Sequence, residues 1–354
     1  MKSIKDYVSL EQSFYQNVFD NKEKLYGNKF DKDVLKHISN IVIFATGSSS
    51  NAAYSALPFM SKTTGLPIYI EEPSIAANYL LNFNDDTLYL AISQGGHSYS
   101  IINLVKKFEQ NGKKIFALTS DESAPVYEVS NHVLSMGMPV EEMPYVSAGY
   151  SVTILDLMII SMEIGTVLGQ LDKKQKDSYE SGIEQIIKIM PSIIDKSNEW
   201  IENNIKVFNN AKRIIWIGYG STYGVAREGE TKITETVRIS SWGKELEEYM
   251  HGPYLGLHDD DVIVFIDPNG TLEDRVNRLK EFLALHVENV VTINSKETGS
   301  KNDLALDVES NELLASLFMT IPVHLLSFRL SQIKGNDLAV SAYPEFDKIT
   351  ASKI

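Results

Sequence analysis

The chain has 354 residues, 43% of them apolar and 23% charged, enough for two ordinary domains with substantial cores. Its 33 basic and 47 acidic residues leave a formal charge of −14, the opposite of what a nucleic-acid binder presents, so no nucleic-acid partner is expected. Cysteine is absent, which excludes disulfides, thiolate metal ligands and cysteine nucleophiles and agrees with a reducing compartment.

The opening residues, Met1-Lys2-Ser3-Ile4-Lys5-Asp6, start no apolar core and do not read as a secretory signal. The first apolar run, residues 41–44, ends in Thr46-Gly47-Ser48-Ser49-Ser50, and a second, residues 88–92, ends in Ser93-Gln94-Gly95-Gly96-His97-Ser98. A third run follows at residues 114–119, after a segment of helical period. Residues 151–165 are the most apolar long stretch; they carry Asp156 and Glu163 and read as too short to cross a bilayer. A soluble cytoplasmic protein with no membrane partner is expected. Residues 171–204, rich in Lys, Glu, Gln and Ile, read as connecting helices.

The pattern then repeats. Residues 214–217 end in Gly218-Tyr219-Gly220-Ser221-Thr222, residues 262–266 end in Asp267-Pro268-Asn269-Gly270, and a third run spans 290–294. Gly47 and Gly218 are 171 residues apart. Short continuous runs of Ile, Val and Phe between helical segments are the mark of buried parallel strands. The fold class expected is α/β: two doubly wound parallel-sheet domains related by internal duplication. The first spans residues 1–170 with an N-terminal helix, connecting helices fill 171–204, and the second spans 205–354.

Ligands of parallel α/β sheets bind where strands run into helix N-termini, and free amides there favour an anion. Both first-half loops combine hydroxyl, amide and glycine donors suited to a phosphate. They equally suit helix caps and turns. Neither is a dinucleotide fingerprint or a Walker loop, so no cofactor is expected.

In the second half, Glu228, Lys232 and Glu235 are spaced four and three apart and share one helix face. A carboxylate and an ammonium so placed can move a proton and hold a developing enolate charge, although surface ion pairs show the same spacing. Sixteen residues on, Met250-His251-Gly252-Pro253 puts an imidazole at an element end. His37, His97, His132, His258, His286 and His324 form no ligand spacing, so no metal site is expected. His97 suits either a ligand contact or a solvated loop.

Together these motifs resemble the tandem sugar isomerase (SIS) domain family, which includes the isomerase half of glucosamine-6-phosphate synthase and the fructosamine 6-phosphate deglycases. The resemblance runs from about Glu11-Gln12 to the C-terminus. The family's Cys-Gly-Thr-Ser loop appears as Thr46-Gly47-Ser48-Ser49, and its Ser-Gln-Ser-Gly-Glu-Thr loop as Ser93-Gln94-Gly95-Gly96-His97-Ser98. Its Glu-Gly-x-x-Lys-x-x-Glu helix is Glu228, Gly229, Lys232 and Glu235, followed at the family's interval by His251-Gly252-Pro253.

The resemblance implies an enzyme acting on a hexose 6-phosphate or its amino or amine conjugate through C1–C2 proton transfer. Ser49, Ser93, Gln94 and Ser98 would bind the phosphosugar, Gly95 and Gly96 would supply amides, and Ser147 would be a further substrate contact. Glu235 would be the base, Lys232 would stabilise the intermediate, and His251 would assist ring opening from the neighbouring subunit of a homodimer. Lys348 matches the family's tail lysine best, with Lys353 the alternative. Gly95 stands in place of a phosphate-binding serine, His97-Ser98 in place of Glu-Thr, and Ala148-Gly149 where the synthases have Thr-Lys. The absence of a preceding glutaminase domain argues for an isomerase, deaminase or deglycase without glutaminase activity. A non-catalytic phosphosugar sensor is the competing reading.

Overall fold

A computed structural model describes residues 1–80, 83–296 and 300–354. The chain divides into two compact units. The first-sheet unit comprises Ser13–Pro144, Ala148–Glu180 and Val340–Ile354, and the second-sheet unit Met1–Gln12, Tyr145–Ser147 and Ser181–Ala339. The terminal segments thus group differently from a simple division into residues 1–170 and 205–354. The reason lies in their anchors. Ile4, Tyr7, Val8 and Glu11 are buried in the second-sheet unit, and residues 352–354 pair with the loop around Ser98 in the first-sheet unit.

The first sheet contains β1 (Asn40–Phe44), β2 (Ile68–Glu71), β3 (Thr87–Ile92), β4 (Phe116–Thr119) and β5 (Val133–Ser135). Its strand order is β2-β1-β3-β4-β5, and all pairings are parallel. The second contains β6 (Arg213–Gly218), β7 (Ser240–Glu245), β8 (Val262–Asp267), β9 (Asn289–Asn294) and β10 (Leu304–Ala305), in the order β10-β9-β8-β6-β7. Read from the other edge this is the same topology, again all parallel. Two doubly wound sheets with one connectivity are what an internal duplication leaves. Strand order reverses between β1 and β3, and again between β6 and β8, so each unit has a crevice at those carboxyl ends.

Local sequence explains the packing. The helix Tyr99–Gln110 buries Ile101, Ile102, Leu104, Val105 and Phe108 on one face, against Phe44, Tyr89 and Ala117. The helix Gly47–Thr64 is rich in small residues, and the helix Ala148–Val167 lies close along it. Ser55 Oγ and Tyr150 OH are 2.8 Å apart, and Thr63 Oγ1 donates to Ser161 Oγ at 3.0 Å. A Cβ on Gly165 would come within 2.2 Å of Thr63 O.

The apolar stretch expected to be too short for a bilayer is longer than 151–165. The helix Ala148–Val167 has 20 residues and, like Glu312–Ile333 with 22, is long and apolar enough to cross a membrane by length and composition. In each, 83% of the most apolar 18-residue stretch is buried within the protein, as in core helices. The connecting segment is one continuous helix, Lys173–Asn210, running through Pro191.

Candidate functional site

In the first-sheet unit the two donor loops follow the adjacent strands β1 and β3. Thr46 and Ser98 are the N-cap residues of Gly47–Thr64 and Tyr99–Gln110, and neither side chain makes a capping hydrogen bond. Ser98 Oγ instead lies 3.2 Å from Ser100 Oγ. Ser49 is half-buried on the first turn of Gly47–Thr64, while Ser93 and Gln94 line the loop base and are largely buried. The Gln94 carbonyl accepts from Thr119 Oγ1 at 3.0 Å and from Ser120 N at 2.8 Å, which fixes the backbone and leaves the amide side chain to point elsewhere. A Cβ on Gly95 would make only an ordinary contact, with His97 Cδ2 at 3.9 Å.

Gly96 differs from the expectation. Its N–H donates to Ser93 O at 3.0 Å, its φ is +66°, and a Cβ there would meet Ala124 Cβ at 2.4 Å. Its role in this structure is the shape of the turn rather than donation to a ligand. Ser147 is fully buried and groups with the second-sheet unit.

The C-terminal residues dock on the second loop. Tyr99 N donates to Ser352 O at 3.2 Å, Ile354 N donates to His97 O at 3.0 Å, and Ser98 bridges antiparallel to Lys353. His97 Nδ1 lies 2.6 Å from Ile354 O, so this histidine anchors the tail. Lys353 therefore sits beside Ser98, whereas Lys348 is exposed on the short helix Phe346–Thr350.

The second-sheet unit assembles the charged residues. The helix Ser221–Lys232 seats closely on its sheet because Gly229 and Gly243 lack side chains: a Cβ on Gly229 would meet the Trp216 ring at 2.6 Å, and one on Gly243 would meet Ala226 O at 2.3 Å. The helix then widens into a π turn, Ile233–Val237, a form frequent at functional sites. That turn carries Glu235. Lys232 Nζ forms an ion pair with Glu235 and lies 3.4 Å from Glu228 Oε1. The side chains of Glu228 and Lys232 are 0% and 1% exposed, against 32% for Glu235, so the pair reaches solvent through Glu235. Burial pushes the Glu235 carboxyl above its ordinary range and Glu228 adds to this, while Lys232 pulls it back.

Two residues outside the sequence-based set complete the cluster. His324, fully buried in the helix Ile321–Ile333, places Nε2 3.5 Å from Glu228 Oε1 and Nδ1 3.9 Å from Glu11 Oε1. Glu11 is itself 0% exposed. Burial alone would lower the His324 pKa, but the two carboxylates outweigh it and the net shift is upward. The signal available in the sequence was a histidine inside the apolar run Ile321-Pro322-Val323-His324-Leu325-Leu326. His251 ends the short helix Leu246–Met250 and is exposed, with Gly252 at φ +125° turning the chain away into Pro253.

The duplicated counterpart of the donor loop, after β8, is closed by the protein's own anion. Glu312 accepts from Thr271 N at 3.0 Å and from Thr271 Oγ1 at 2.6 Å, and Ser221 Oγ donates to its carbonyl at 2.6 Å. A Cβ on Gly270 would lie 1.8 Å from Glu312 Oε2. Among the described residues, no group of three or more His, Asp and Glu side chains is placed to hold a metal ion.

The SIS-domain profile matches residues 34–164 and 207–333, and the chain belongs to that family. The chain is 24% identical over 323 residues to glutamine–fructose-6-phosphate aminotransferase (isomerizing) of Thermococcus kodakarensis, covering 89% of this chain and 54% of that protein. It thus spans about half the length of the curated relatives it matches. Among solved structures, a candidate phosphosugar isomerase from Clostridium difficile superposes with a TM-score of 0.89 at 26% identity, covering 99% of this chain and 98% of the other. The C-terminal domain of glucosamine-fructose-6-phosphate aminotransferase from Francisella tularensis superposes with a TM-score of 0.85 at 20% identity, covering 96% and 98%. The fold is that of phosphosugar isomerases.

Proposed function

We propose that the chain is an enzyme that binds a hexose 6-phosphate, or its amino or amine conjugate, and moves a proton between C1 and C2. The observation that carries this reading is the Lys232–Glu235 pair, a reachable carboxylate of raised proton affinity beside a buried ammonium. In the open-chain sugar, the Glu235 carboxylate removes the proton from the carbon next to the carbonyl. Electron density moves onto the carbonyl oxygen or imine nitrogen, where Lys232 stabilises it; the proton on the neighbouring oxygen or nitrogen passes to that atom, and the carbon-bound proton returns to the former carbonyl carbon. Isomerisation ends there. In a deaminase or deglycase, water then adds to the resulting imine and the amine leaves.

Ser49, Ser93, Gln94, Gly95 and Ser98 take the phosphosugar in this reading, and Ser147 adds a contact. The uncapped Thr46 and Ser98 helix starts support an anion at these loops. His251, exposed at the end of its helix, assists ring opening in a neighbouring subunit of a cytoplasmic homodimer. Lys348 or Lys353 of the tail completes the set. The test is Glu235→Gln assayed with hexose 6-phosphates and 6-phosphorylated amino sugars, following turnover and the exchange of C1 and C2 protons in deuterated water. A loss of about 10²–10⁴-fold in rate, with affinity held within a few-fold, is expected. Tight binding by the unmodified chain with neither turnover nor exchange would make it a phosphosugar sensor.

A further inference from the structure

The charged groups of the second-sheet unit form a row. Glu11 lies on the N-terminal helix Ile4–Asp20, His324 on Ile321–Ile333, Glu228 and Lys232 on Ser221–Lys232, and Glu235 on the π turn. The row leads from the protein interior to the solvent-reached carboxylate. Glu11, His324, Glu228 and Lys232 are each at most 1% exposed. Glu228 Oε1 is approached both by Lys232 Nζ at 3.4 Å and by His324 Nε2 at 3.5 Å. A buried carboxylate held by one cation competes for that cation with any other carboxylate nearby. With a second cation within reach of the same oxygen, Glu228 draws less on Lys232, and the ammonium is left to Glu235.

We propose that His324 is a positioning residue for the proton transfer: clamped between Glu11 and Glu228, its imidazolium offsets the Glu228 charge and leaves Lys232 directed at Glu235. The proposal rests on Glu235 being the base. The charged groups facing the imidazole are Glu11 from the N-terminal helix and Glu228 from Ser221–Lys232, with Lys232 and Glu235 beyond Glu228. Two carboxylates against one ring favour its protonated form, in the direction its titration is shifted. The His324 charge in turn favours ionised Glu235. Loss of that charge therefore raises the proton affinity of Glu235.

The experiment compares the unmodified chain with His324→Gln, which retains a polar side chain without the charge. The Glu235 carboxyl is titrated in unliganded protein by carbon NMR, and the pH profile of kcat is measured alongside. The Glu235 midpoint and the acid limb of kcat should both move up by roughly 0.5–1 pH unit, the scale of a unit charge felt through a partly buried medium, with KM unchanged. A lowered melting temperature with an unmoved Glu235 midpoint would reduce His324 to a packing residue and overturn the proposal.

Glu11→Gln keeps the imidazole and guards against a His324 variant that fails to fold. It should make the His324 ring titrate at lower pH, and an unchanged ring titration would equally refute the clamp. If no hexose 6-phosphate is turned over, the proposed reaction fails, while the unliganded titrations still decide whether His324 governs Glu235.

Discussion

Gly149 leaves open the space that the side-chain amide of Gln94 occupies: a Cβ on Gly149 would lie 2.2 Å from Gln94 Nε2. Gly149 N also donates to the buried Glu141 Oε1 at 2.6 Å, which pins the start of the helix Ala148–Val167 at this point. This is the position where the resembling synthases carry lysine.

Gly149→Ala should therefore displace Gln94 without unfolding the protein, because the clash falls on the far end of a flexible side chain, held there by a weak bond to Met138 Sδ. Phosphosugar affinity measured by calorimetry should drop several-fold, with the melting temperature nearly unchanged. Unaltered affinity would remove Gln94 from the binding loop.

In the proposed function, the hydroxyls of Ser93 and Ser98 bind the phosphate. Hydrogen bonds to a charged acceptor contribute about 1.5–3 kcal/mol each, part of which water replaces. Ser93→Ala with Ser98→Ala should weaken binding of the 6-phosphate by roughly ten-fold to a thousand-fold, and leave the unphosphorylated sugar unaffected. Equal affinity for the 6-phosphate before and after would show that the loop only caps its helix.

Asp156 is a fully buried carboxyl in an apolar helix, and burial pushes it up to about 8 against the partial relief of Tyr26 and Gly137. An acid of raised pKa stabilises the fold below its unfolded value near 4 and loses that contribution as pH rises towards 8. At pH 7 the penalty is about 4 kcal/mol relative to a carboxyl of ordinary acidity. Asp156→Asn should show a melting-temperature advantage that grows from pH 5 to pH 8 and levels off above. A pH-independent difference would mean that Asp156 is not buried in its protonated form.

His251→Ala and Glu235→Gln chains should each be defective, and mixing them should restore activity if His251 acts on a partner's site. After random exchange about half the dimers are mixed, and each has one site free of both substitutions. Up to roughly a quarter of the unmodified activity should return, by the symmetry of a two-fold dimer. No recovery after verified subunit exchange would place both residues in one chain's site.

The central strands were legible because β1, β3, β4, β6, β8 and β9 are buried and read as unbroken apolar runs. The four unread strands, β2, β5, β7 and β10, are the sheet edges. There β7 reads Ser240-Ser241-Trp242-Gly243-Lys244-Glu245, while β10 has two residues, so neither offers a run to detect. Helical spacing brought Glu228, Lys232 and Glu235 together in advance, whereas the π turn under Glu235 has no spacing signature. Glu11 and His324 lie at opposite ends of the chain, and no local pattern joins them. Donor chemistry marked the loop at Gly95-Gly96, but could not show that the Gly96 amide closes the turn itself.

The interleaving of the two units sets the order in which they can be completed during synthesis. Met1–Gln12 is made before the first sheet, yet the bulk of its unit, Ser181–Ala339, emerges only after that sheet. At roughly 5–20 residues per second, Ile4, Tyr7 and Val8 wait about 15 to 65 seconds for their core. The first-sheet unit in turn is completed by Val340–Ile354, a segment made only after the second sheet. A chain arrested after the first sheet therefore carries Ile4, Tyr7 and Val8 without their core and a donor loop without residues 352–354, a substrate for chaperones rather than a folded half.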